Sequence, residues 1–172
     1  INEKEVLSMS CNACTKIKDK QPADPLAGFE IEIISCDLDP TMTKRTFIYT
    51  ITAINNPPHD ISNIKICLPC ALAFVEGEVN IDGEITEGEF SQESGGGDPV
   101  ICAGVKYDSL PDNKTATVFT LSITVLEEYT TISNNVQIGY KAATNKYIWT
   151  LCGPECNGHN PNHHHKERGI KF

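Results

Sequence analysis

Eight cysteines, at positions 11, 14, 36, 67, 70, 102, 152 and 156, are the residues of this sequence whose type and spacing could do chemistry. Cys11 and Cys14 in "CNACTKIKDK" and Cys67 and Cys70 in "CLPC" each form a CxxC pair. Two such pairs can build a tetrahedral zinc site if two short knuckles face each other. Here the pairs stand more than fifty residues apart, where about ten to twenty is usual, and zinc leaves Cys36, Cys102, Cys152 and Cys156 without a role. A redox dithiol wants its CxxC at the start of a helix, where the dipole lowers the first thiol's pKa, and nothing in the pattern predicts that setting. An even number of cysteines scattered through a β-rich chain favours the third alternative, a disulfide framework formed in an oxidising compartment. Residues three apart on a strand point to opposite faces, so Cys67 and Cys70 are each expected to have a separate partner unless Pro69 ends the strand at Leu68. In "CGPEC", Gly153 and Pro154 favour a turn that could bring Cys152 and Cys156 together. Cys11 and Cys14 lie in a polar arm, which they would staple either to its own core or to a neighbouring subunit.

Other reactive residues are sparse. Nucleophilic catalysis needs a serine, cysteine or threonine held against a base, and the only histidine of the central region is His59, in the proline-rich turn "NNPPHD". Glu30 and Glu32 share the outward face of a strand, where carboxylates are more often solvated than catalytic. No GxGxxG, GxxxxGK[ST] or HExxH occurs. His159, His163, His164 and His165 in the C-terminal tail are a weak alternative metal cluster. The acidic stretch Glu76 to Asp98 reads as a solvated strand pair, and its oxygens lack the spacing of a helix-loop-helix calcium site. Trp149 is expected as a core or interface anchor. Asn113 in "NKT" fits a glycosylation sequon in a turn. The expectation is therefore no enzyme, no catalytic residue and no cofactor.

The elements that must position the cysteines are strands. "TFIYTITAI" from Thr46 to Ile54 alternates Phe47, Tyr49, Ile51 and Ala53 with Thr50 and Thr52. "TVFTLSITVL" from Thr117 to Leu126 alternates Phe119, Leu121, Ile123 and Val125 with Thr120, Ser122 and Thr124. A period of two is that of a half-buried strand. Shorter runs occur at Phe29 to Ser35, Ile61 to Leu68, Ala71 to Glu76, Ile101 to Tyr107, Val136 to Ala142 and Tyr147 to Leu151, and glycine- or proline-rich turns separate many of them. No stretch keeps a helical period. The fold class expected is all-β, an antiparallel β-sandwich, immunoglobulin-like or jelly-roll-like, with an extended arm and tail. The boundaries expected are an arm or linker over 1–25, a sandwich over 26–155 and a tail over 156–172.

The chain has 172 residues, with 14 lysines and arginines against 23 aspartates and glutamates, for a net charge of -9. That length builds a core without needing a metal or disulfides merely to fold, so the cysteines exceed what folding requires. The charge disfavours nucleic acid and anionic lipid. No run of about 18 apolar residues is present to span a bilayer as a helix.

The succession "ISNIKICLPC", "GGGDPVICAGVKYD", "TVFTLSI" and "VQIGYKA" resembles a recurring β-sandwich domain of bacterial secreted and cell-surface proteins, over about Gly28 to Ala143. Where that pattern carries histidine or an aromatic after the serine, this chain has Asn63. The resemblance implies an extracellular structural or adhesive module and carries over no catalytic residue. The cysteine-bearing arm is similar in layout to subunits of disulfide-linked spore appendages. The function expected is a structural subunit of an extracellular bacterial filament, appendage or coat. Its partners would be copies of itself and other surface or coat proteins, joined head-to-tail through terminal extensions whose cysteines bond Cys152 or Cys156 of a neighbour. The alternative is a monomeric extracellular adhesive or binding module for a glycan, protein or metal.

Overall fold

The computed structural model describes residues 21–22, 28–54, 56–86, 89–95 and 99–158. Eleven strands follow one another along them: β1 (Gln21–Pro22), β2 (Phe29–Leu38), β3 (Lys44–Ala53), β4 (Ile61–Cys67), β5 (Phe74–Ile81), β6 (Glu84–Ile85), β7 (Phe90–Ser94), β8 (Ala103–Tyr107), β9 (Phe119–Leu126), β10 (Thr130–Ala142) and β11 (Asn145–Cys156). Short 3₁₀ turns stand at Ala71–Ala73 and Glu127–Tyr129. Sheet A has the order β1-β2-β3-β9-β5-β6 and sheet B the order β11-β10-β4-β8-β7. Every pairing is antiparallel, so the expected all-β sandwich is the fold.

Alternation explains the centre of sheet A. Phe47, Tyr49 and Ile51 of β3 and Phe119, Leu121 and Ile123 of β9 are buried. The intervening Thr46, Ile48 and Thr50 pair across the ladder with Thr124, Ser122 and Thr120 on the outer face. The inner faces of both sheets meet in one core that includes Phe29, Tyr107, Tyr140 and Trp149. Trp149 is 1% exposed and lies over Tyr140 at a ring distance of 4.3 Å, the anchor role expected of it. At one end of the core, inward-facing Arg45 closes a bidentate pair with Glu127, both contacts at 2.8 Å, and donates to the Cys36 carbonyl at 2.7 Å.

Several boundaries differ from those expected. Within the supposed arm, β1 pairs with the edge of β2 through Gln21 and Pro22, an outermost position where proline's missing N–H is tolerated. Glu76 to Asp98 does not fold as one hairpin: β5 and β6 belong to sheet A and β7 to sheet B, so the chain crosses between layers there. "CGPEC" is not a turn. β11 runs through it, with Ser133 opposite Gly153, Ile132 opposite Pro154 and Thr130 opposite Cys156. Proline fits because β11 is an edge strand. Gly153 is required by a close approach: a β-carbon there would lie 2.7 Å from the Tyr49 hydroxyl, which donates to the Cys152 carbonyl at 2.8 Å. No helix among the described residues is long and apolar enough to cross a membrane, which bears on helices alone.

Candidate functional site

The chemistry-bearing residues converge on one end and the outer face of sheet B. β4 ends in "CLPC", and Pro69 terminates the strand by removing a donor. Cys67 and Cys70 therefore leave the ladder in different directions. Cys67 bonds Cys102 and Cys70 bonds Cys156, with Cα separations of 5.7 Å in both, which satisfies the expectation of separate partners. Cys36 and Cys152 are disulfide-bonded too. Cys67 and Cys70 are thus committed to disulfides and not to a zinc knuckle. The pairing of Cys156 with Cys70 of the same chain corrects the expected Cys152–Cys156 pairing. Cys11, Cys14, His159, His163, His164 and His165 lie outside the described residues.

The first disulfide pins a strap, Pro99 to Cys102, across the outer face of β4 and β10. Val100 is 3% exposed although it sits outside the sandwich, because Gly139 of β10 has no side chain. A β-carbon at Gly139 would come within 2.8 Å of the Val100 β-carbon. The strap replaces the strand start expected at Ile101, whose side chain is 82% exposed. Strand β8 instead begins at Ala103, the residue whose carbonyl accepts the Leu68 N–H at 3.0 Å.

Beneath the strap lies Lys65, 0% exposed. Its ammonium donates to the Val100 carbonyl at 3.2 Å and pairs with Glu93 of β7 at 3.1 Å. Lys106 stands directly opposite Lys65 in the ladder and reaches the other oxygen of Glu93 at 3.6 Å and Asp108 at 3.3 Å. Two like charges side by side are tolerable because one carboxylate bridges them.

Beside both disulfides, Pro69, Val136, Gln137 and Pro154 help line a cleft of about 380 Å³, into which Cys67, Cys102 and Cys156 face. The irregular register of β10 between Ser133 and Val136 forms part of its wall. The two cysteines of the second bond differ in environment. The Cys70 backbone N–H donates to Cys156 Sγ at 2.9 Å, whereas Cys70 Sγ lies 3.9 Å from the Tyr129 carbonyl oxygen. A donor favours negative charge on sulfur and a carbonyl oxygen opposes it. Burial pushes the Tyr49 phenol well above its usual range, which keeps its proton available for the Cys152 carbonyl.

The remaining candidates are dispersed. His59 is exposed in its turn. Glu30 and Glu32 face outward from β2, opposite Thr52 and Thr50. Asn113 is no accessible sequon. Its side chain is buried, accepts the Ile61 N–H at 2.9 Å and donates to the carbonyls of Ile61 and Pro111 at 2.8 and 2.9 Å. A glycan on that nitrogen is incompatible with this fold. The strap and buried Lys65 were missed in the sequence because "VICAGVK" reads as continuous strand, and only the cysteine inside it hinted at a tether. The chain matches no known protein family, and no curated protein sequence matches it.

Proposed function

We propose that this protein is a non-enzymatic structural subunit of an extracellular bacterial filament, appendage or coat. In this reading it assembles head-to-tail with copies of itself through its terminal extensions, with disulfides as cross-links. The observation that carries it is the disulfide bracing of a sandwich that already has a continuous core. Cys70–Cys156 fastens the terminal edge strand β11 to the far end of β4, and Cys67–Cys102 locks the strap. Such bracing suits a protein that must resist stress in an oxidising environment. Among the described residues both edges of sheet B, β11 and β7, have a strand on one side only, and edges of that kind accept strands from other chains. A repeated contact between unlike surfaces that does not close into a ring produces a filament.

Electron microscopy and gels of native material test the proposal. Filaments that yield a ladder without reductant and collapse to one band with it support covalent assembly. A chain that stays monomeric at high concentration, in oxidising buffer, with or without residues 1–20, refutes it.

A further inference from the structure

The Cys70–Cys156 bond combines three features, of which the Cys67–Cys102 bond shares only the second, since Cys102 also lies outside any strand and is partly exposed. Among the described residues Cys156 is the last residue of an edge strand and is paired only with Thr130 of β10, so its departure opens a single ladder at its end. Cys70 lies outside any strand, between β4 and a 3₁₀ turn, and is partly exposed. The two sulfurs are electrostatically unequal, since an N–H points at Cys156 Sγ and a carbonyl oxygen lies near Cys70 Sγ. Cys67, by contrast, belongs to β4, which is enclosed by β10 and β8 on either side.

We propose that Cys70–Cys156 is an exchangeable bond through which copies of this chain link head-to-tail, Cys156 of one to Cys70 of the next. The step is a thiol–disulfide exchange. A thiolate attacks Cys70 Sγ in line with the existing bond, the new S–S bond forms as the old one breaks, and the electron pair leaves on Cys156 Sγ. The Cys70 N–H stabilises that leaving thiolate, which makes Cys70 the attacked sulfur and Cys156 the departing one. Any monothiol of the glutathione class starts the sequence. Thereafter the released Cys156 thiolate of one copy attacks Cys70 of another and releases a further Cys156. Each step consumes one thiolate and yields one, so growth needs no oxidant and leaves the number of disulfides unchanged. The proposal rests on the filament reading and supplies its covalent contact without using the terminal arm.

The test uses the full oxidised chain as an equal mixture of heavy-nitrogen and ordinary protein, with substoichiometric reduced glutathione, followed by alkylation and a non-reducing gel. The expected result is a ladder in whose bands half of the intermolecular Cys70–Cys156 peptides join one heavy and one light partner, with free thiol equal to the glutathione added. The double variant Cys70→Ser/Cys156→Ser should lose the ladder entirely. No ladder on adding thiol, Cys70–Cys156 peptides without mixed labels, or a ladder that persists in the double variant would each overturn the proposal. The mixed-label measurement stands even if the double variant misfolds. Filaments in native material without mixed-label peptides sink the exchange and spare the filament reading. Mixed-label oligomers from a chain that never forms filaments do the reverse.

Discussion

The outer faces of the two sheets are built on opposite principles. Sheet A presents an open ladder of small hydroxyls, in which Thr46 and Thr124 bond each other at 2.8 Å, and Glu32 of β2 and Glu76 and Glu78 of β5 flank it. Sheet B is covered: the strap buries Val100 and Lys65, and disulfides close its end. A more open face needs little beyond alternation, because water and facing hydroxyls such as Thr46 and Thr124 satisfy what points outward. A covered face favours a protein partner for each outward group, which is why glycine, a bridging carboxylate and cysteines appear there, although the buried Asn63 Oδ1 has none among the described residues.

The largest effect sharpens the comparison from the shared core. Trp149→Ala, on the core-facing side of β11, should cost about 3–5 kcal/mol in urea unfolding, well beyond any single change on the outer face of sheet A. Removing the bonds comes next. Cys67→Ser/Cys102→Ser and Cys70→Ser/Cys156→Ser should each cost about 2–4 kcal/mol. Sequence separations of 35 and 86 make the second loss about 0.8 kcal/mol larger by loop-closure entropy. Equal losses would show that the strap contributes packing beyond its short loop.

Glu93→Ala removes the carboxylate that bridges Lys65 and Lys106 and should cost about 1–3 kcal/mol, since Glu93 is itself 28% exposed. Thr46→Ala on the open face should cost about 0.2–1 kcal/mol. If the two changes proved equal, the contrast between a covered and an open face would be broken.

The smallest effect concerns pH. Burial raises the Asp60 pKa, but the backbone N–H groups of Lys114 and Asn113 and the charges of Lys114 and His59 outweigh it, so the carboxyl sits below its ordinary 3.8. A carboxyl whose folded pKa lies below its unfolded one stabilises the fold above the unfolded value, and that contribution is lost as pH falls through the folded value. Urea midpoints from about pH 6 to about pH 2 should therefore decline below the ordinary carboxylate range, and Asp60→Asn should flatten part of the decline. Asp39 is lowered in the same direction, first by the Thr41 hydroxyl and then by the Lys44 backbone N–H, and leaves a residual slope in that variant.

The class of fold was legible in the sequence, because β3 and β9 each pack one face on the core and turn the other outward, and a period of two records that directly. Strand alternation also pointed to different partners for Cys67 and Cys70, and the structure separates them by another route, since Pro69 follows the end of β4 and Cys70 lies outside any strand. Only the tertiary structure decided which partners. Cys102 and Cys156 are distant in sequence, and a pairing across loops leaves no local signal. The same holds for Lys65, which reads as a solvated strand residue and is buried because a strap from elsewhere in the chain folds over it. β11 continues through Gly153 and Pro154 for a reason equally invisible in the sequence: among the described residues its outer side has no strand demanding the N–H that proline lacks, and the Tyr49 hydroxyl occupies the space a side chain at Gly153 would need.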